Sequence, residues 1–150
     1  MNYNFIRKKD FIFFREALVK LAKKHNVTTG KWLIAVPWTE ADEVWQRLVN
    51  GLLEGKFAEH LGVTFIKVFG RSVPNTNPYN IEKRKLVDST MMSIATPDWT
   101  NKEKTMAVSK VIRDLGIGIH YELKYKQDFY SVLDILKGNP YELRPTIYQC

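Results

Sequence analysis

An α+β fold, with a mixed or antiparallel sheet and helices packed on one face, is predicted by three observations. Segments with the helical apolar period and short β-rich apolar segments are interspersed along the 150 residues. No strand leads into a glycine-rich phosphate turn: G-x-G-x-x-G and the P-loop are both missing, which argues against a doubly wound parallel sheet. The composition, 45% hydrophobic with 13% aromatic and 26% charged residues, suits a folded core and excludes a disordered, collagen-like or coiled-coil chain. The length is that of one domain, so residues 1–150 are expected to form a single unit.

The elements follow in order. Phe11, Phe14, Leu18, Leu21 and Ala22 lie on one stripe of a helix over about 10–25, with Arg15, Lys20, Lys23 and Lys24 on its other face. Gly30 to Pro37 is a short, nearly continuous apolar run between breakers, hence a buried strand. Thr39 is placed to cap a second helix, with Glu40, Asp42 and Glu43 in its first turn. That helix keeps its period through Ala41, Val44, Trp45, Leu48, Val49 and Leu52 up to Gly55. Gly62 to Phe69 is rich in β-branched and aromatic residues and reads as a second strand, and Leu86 to Thr96 as a third. Between them, residues 70–85 form a long loop. Thr100 and Glu103 make a capping-box pair for a third helix that stops at Gly116. From Ile119 to Lys126 the chain alternates, Ile119, Tyr121, Leu123 and Tyr125 on one face and His120, Glu122, Lys124 and Lys126 on the other. A helical turn near 128–136 and a terminal strand near 146–148 complete the series.

Composition also limits the function classes. No apolar run approaches the roughly 18 residues of a membrane span, and the start lacks a cleavage site after a hydrophobic stretch, so neither a membrane partner nor a secretory signal is expected. Cys150 is the one cysteine, which leaves no internal disulfide, no cysteine-based zinc site and no reason to expect a metal or other cofactor. A reducing, cytoplasmic setting is the default. The net charge of +7 is uneven: residues 1–25 carry +5 and residues 70–115 carry +3. Such a balance favours anionic partners.

Four groups of residues stand out as candidates. His120, Glu122, Lys124 and Lys126 recur every second residue, giving either a cationic row for phosphate or a solvated edge in which Glu122 compensates two lysines. Lys67 shares a strand face with Phe65 and Phe69, and either runs its amine out to water or sits in an anion pocket; Lys31, ahead of the first strand's apolar run, is open in the same way. The basic loop Lys83-Arg84-Lys85, with Arg71 upstream and Tyr79 between, can grip a single-stranded backbone and stack a base, or be merely solvated. Trp38 and Trp99 each precede a helix cap without the usual apolar staple partner, so each packs elsewhere in the core or offers a stacking surface, whereas Trp32 and Trp45 read as core. Catalytic constellations are thin. The one arrangement with a rationale pairs His120 with Lys124 or Lys126, the lysine as base and the histidine as acid.

Several segments together carry a resemblance. Thr29-Gly30-Lys31-Trp32-Leu33 leads to a helix with Asp42-Glu43-Val44-Trp45; Met92 to Asn101 reads MSIATPDWTN and precedes a helix ending Arg113-Asp114-Leu115-Gly116; Tyr125 to Tyr130 reads YKQDFY; Ile147-Tyr148 closes the chain. This order, over about residues 28–148, resembles the basophilic-leukaemia-expressed protein family, a domain with a fold like that of the messenger-RNA cap-binding translation initiation factor. The resemblance implies a curved, mostly antiparallel sheet backed by helices, with a concave face free for a ligand. It does not carry cap recognition across. Cap-binding proteins sandwich the methylated base between two tryptophans, and here no tryptophan precedes Gly30 and no Trp-Glu pair occurs. Gln127 also replaces the proline of the family's Tyr-Lys-Pro-Asp. Members are sometimes labelled phosphothreonine lyases, whose lysine and histidine would correspond to Lys126 and His120 here, without the dense arginine set.

The reading that follows is a binding module for an anionic ligand, a nucleotide or single-stranded RNA. Lys31, Lys67, Lys124 and Lys126 would neutralise phosphate, and Trp99 or Tyr79 would stack a base. Two alternatives stay open: a phosphate-directed enzyme such as a phosphothreonine lyase, using His120 and Lys126, and a regulator that docks a protein partner on the basic first helix.

Overall fold

The computed structural model describes residues 8–57, 61–69, 89–117 and 120–150. In chain order the elements are α1 (Lys8–Lys24), β1 (Gly30–Pro37), α2 (Ala41–Leu53), β2 (Ile66–Val68), β3 (Ser89–Thr96), α3 (Lys102–Asp114), β4 (Leu123–Gln127), α4 (Asp128–Val132) and β5 (Tyr148–Gln149). The strands form one curved sheet in the order β2-β3-β1-β4-β5, and every neighbouring pair is antiparallel. The α+β class with an antiparallel sheet is therefore the fold.

Strand alternation sorts the side chains onto two faces. Trp32, Ile34 and Val36 of β1, Met92 and Ile94 of β3, and Leu123 and Tyr125 of β4 are buried together with Val44 and Leu48 of α2 and Val108 and Ile112 of α3. Trp32 anchors this layer: it is fully buried, its Nε1–H donates to the Thr105 carbonyl of α3 at 2.9 Å, and its ring meets Tyr125 edge-on at 5.2 Å. The burial pattern across β1 alternates as a sheet covered on one face requires.

Helix boundaries depart from the reading in instructive ways. Thr39 does not cap α2; Glu40 occupies that position and makes no side-chain cap bond. In α3 the cap is Asn101, whose side chain accepts from the Lys104 N–H at 3.0 Å, while Thr100 is tied to Asp98 by its N–H at 2.9 Å and its hydroxyl at 2.6 Å. Thr100 and Asn101 are both good caps; the local Asx turn at Asp98 captures the first and leaves the second to start the helix. Gly116 does end α3, at φ +72° with its N–H on the Arg113 carbonyl, a conformation only glycine enters freely. The first strand keeps the bounds read for it, whereas two others are shorter: the second shrinks to Ile66–Val68, and the alternating run becomes a strand only from Leu123.

Among the described residues no helix is long and apolar enough to cross a membrane.

Candidate functional site

The face opposite α2 and α3 is built by register. One row across the sheet runs Lys67, Ser93, Leu33, Lys124 and Gln149, from β2 to β5. The neighbouring row holds Ala95, Lys31 and Lys126, and in it the two lysines are direct cross-strand partners. Lys31, Lys67, Lys124 and Lys126 thus come from three strands and share one face. This follows from the pleat: Lys31 is out of phase with Trp32 and Ile34, and Lys124 and Lys126 are out of phase with Leu123 and Tyr125.

Their surroundings differ. Lys31 is held by Asp128 of α4 at 2.8 Å, both side chains partly covered. Lys124 is paired with Glu122, both half-exposed, and Glu122 also accepts from Gln149. Glu122 thus offsets Lys124, but among the described residues it forms no ion pair with Lys126. Lys67 is exposed, with Nζ 4.8 Å from the centre of the Phe69 ring, and no carboxylate among the described residues pairs with it. Lys126 is buried, at 7% exposure, and its ammonium is pushed down to about 8, first by burial and then by the Lys31 charge, against the pull of Asp134 and Asp128.

Other predicted site residues are placed elsewhere. Trp99 is not available as a stacking platform: it is 6% exposed, its Nε1–H donates to the Val27 carbonyl at 3.2 Å, and Phe129 and the Lys23 ammonium lie 5.9 and 5.7 Å from its ring. Its position before a helix start gave no hint of Val27, which lies 72 residues earlier in the chain. Trp38 is half-buried against the core. His120 lies ahead of β4, exposed, and does not share the row of Lys124 and Lys126. Leu123 to Lys126 alone spans roughly 10 Å of strand, so His120 and Lys126 stand at opposite ends of β4 and do not form the acid–base pair. Tyr79, Arg71 and the Lys83-Arg84-Lys85 loop lie outside the described residues.

Two contributors were missed. Phe65 is 56% exposed and shares the phase of Lys67 and Phe69, so an open aromatic surface borders the lysine face. The period-two spacing of Phe65, Lys67 and Phe69 was the available signal. Asp128 was missed as well, because its partner Lys31 is 97 residues away in sequence. Among the described residues no group of three or more His, Cys, Asp or Glu side chains comes close enough to hold a metal ion.

The scaffold has solved counterparts. One is the Caenorhabditis elegans eIF4E-3 in complex with the 4E-binding protein Mextli and a cap analog: TM-score 0.56, 21% identity, covering 72% of this chain and 55% of that one. Another is Ascaris suum eIF4E-3 with an m2,2,7G cap: TM-score 0.56, 14% identity, covering 83% of this chain and 58% of that one. This chain therefore spans a little over half the length of these relatives, and at such identities the likeness is one of fold. The sequence itself matches one family model along residues 10–134, a range that takes in most of α1, the β1–β3, β1–β4 and β2–β3 pairings and all four lysines of the shared face. With most of its length matched and its fold that of the cap-binding factors, the chain belongs to the basophilic leukemia-expressed protein Bles03 family.

Proposed function

We propose that this protein is a binding module for a phosphate-bearing ligand, a nucleotide or single-stranded RNA, held on the open face of the sheet. The observation that carries the proposal is the convergence of Lys31, Lys67, Lys124 and Lys126 on one face from three strands. Lys67 and Lys124 are three strand spacings apart, roughly 14 Å at the backbone. One phosphate is too small to serve both, so an extended ligand with several phosphates fits better than a free anion. Phe65, not Trp99, is the aromatic surface for a base. The solved relatives support a nucleotide, since both are described in complex with a cap or cap analog.

The test is titration of the full chain with fluorescent single-stranded RNA and with a nucleoside triphosphate at several salt concentrations. Lys67→Ala with Lys124→Ala should weaken RNA binding at least tenfold and lower the slope of log K against log salt by about 1.4, two charges' worth. Unchanged affinity and slope remove the proposal.

A protein-docking role for α1 is favoured by one further observation. Ile12, Phe13 and Leu21 are exposed on α1 at 58, 69 and 55%, close in sequence to the exposed Lys20 and Lys24. Phe13→Ser with Leu21→Ser would abolish capture of an acidic protein partner while leaving RNA binding intact.

A further inference from the structure

Lys126 is the one charged side chain that is buried among the described residues. Its register places it directly across from Lys31, with both side chains on the same face. Asp128, two residues beyond Lys126, is committed to Lys31 at 2.8 Å. Asp134, in the turn after α4, is exposed and acts on Lys126 through its charge alone. Among the described residues no hydrogen bond or ion pair reaches the Lys126 amine. Lysine usually escapes such surroundings by running its amine to water along its own stem; here all but 7% of the residue is covered, and the side chain directly across the strand pair is a second lysine.

We propose that Lys126 Nζ is a carbonyl-directed nucleophile that forms an imine with small aldehydes or ketones bearing a phosphate or carboxylate. An ammonium both desolvated and faced by a fixed cation gives up its proton, which exposes the nitrogen lone pair. That lone pair attacks the carbonyl carbon and the oxygen takes up a proton, giving a carbinolamine. Loss of the second nitrogen proton and of the hydroxyl group as water leaves the C=N bond, so amine plus carbonyl yields imine plus water with no change of oxidation state. Lys31 stands beside the developing oxygen charge, and its ion pair with Asp128 holds it in place. The lowered basicity of Lys126, to about 8, agrees with this geometry. The anionic part of the substrate class rests on the binding reading above; the covalent part does not.

The test treats the full chain with limiting pyridoxal 5′-phosphate, reduces with sodium borohydride and maps modified lysines by peptide mass spectrometry. Pyridine-4-carboxaldehyde, which lacks the phosphate, is run in parallel. At pH 7.5 Lys126 should be modified at least tenfold faster than the average exposed lysine, with a rate that rises through a midpoint near pH 8. The phosphate-bearing aldehyde should be at least tenfold faster at Lys126 than the neutral one. Lys31→Ala should move the midpoint upward and slow labelling at pH 7.5, and Lys126→Arg should remove the fast site. Uniform labelling of all lysines, or a Lys126 midpoint near that of ordinary lysines, overturns the nucleophile, even if inorganic pyrophosphate still competes with RNA. Equal rates for the two aldehydes at a selectively labelled Lys126 overturn the anionic substrate class.

Discussion

Lys31 and Lys126 face each other across the β1–β4 pair, yet Asp128 is bonded to Lys31 alone. The consequence for stability can be signed. In the unfolded chain Lys126 has the ordinary lysine value of 10.5, and in the native state it is lowered to about 8. Between these values the unfolded state binds more protons, so the contribution of Lys126 to stability rises with pH from 8 to about 10.5; below pH 8 its burial is a penalty. Lys126→Met should therefore stabilise the protein at pH 7 by about 1–2 kcal/mol, a figure reduced for solvent screening of a partly hydrated amine, and by almost nothing at pH 10.5. Urea unfolding of both proteins at the two pH values measures it. An equal effect at both would sink the account.

Tyr125 acts in the opposite sense at higher pH. Burial is the main cause that pushes its phenol from 10.0 up to about 12, and its hydroxyl shares a hydrogen bond with Thr96 at 2.5 Å. The unfolded chain loses that proton first, so stability falls as pH rises from 10 towards 12. Tyr125→Phe should flatten this decline in urea titrations between pH 10 and 12 while lowering stability at pH 7 by about 1 kcal/mol through the lost hydrogen bond.

Gly30 is required by this same ring. A Cβ at position 30 would stand 2.3 Å from the Tyr125 hydroxyl oxygen and 2.7 Å from its Cζ. The ring cannot yield cheaply, because it is packed edge-on against Trp32 and bonded to Thr96. Gly30→Ala is expected to cost about 1–3 kcal/mol. Adding Tyr125→Leu should return part of that loss, a coupling read from a double-mutant cycle of unfolding free energies.

The helix caps separate two residues that look alike in sequence. Asn101→Ala should lose about 1 kcal/mol, because the Lys104 N–H then has no side-chain acceptor. Thr39→Ala should stay within about 0.5 kcal/mol, since α2 begins with no side-chain cap bond. Comparable losses at both positions in thermal or urea unfolding would contradict the boundaries described above.

The two aromatics proposed for base stacking divide in the same manner. Phe65→Ala should weaken RNA binding by about 1–3 kcal/mol with little effect on unfolding, given its exposure. Trp99→Ala should cost about 3–5 kcal/mol of stability, because a buried ring and its bond to Val27 are removed. Fluorescence binding isotherms and unfolding curves on the same samples distinguish the two.

Periodicity made the lysine face legible. That Lys67 leaves the sheet with Phe65 and Phe69, and that Lys124 and Lys126 oppose Leu123 and Tyr125, are consequences of the two-residue repeat and survive into the structure. The His120 end of the row did not survive, because alternation persists in sequence for three residues before β4 begins to pair. Trp99 illustrates the converse. Local spacing marked it as a ring without a staple, and only the approach of α1, the Val27 turn and Phe129 buried it.

What the amino-acid order determined alone is local: the fold class, the apolar side of each element and the phase of each lysine, all set by side-chain repeat and backbone preference. What tertiary structure decided is which strands became neighbours, and hence that Lys31 and Lys126 are opposed while Asp128 serves only one of them. Desolvation and charge–charge coupling depend on distances closed by pairings nearly a hundred residues apart, and no local pattern encodes those.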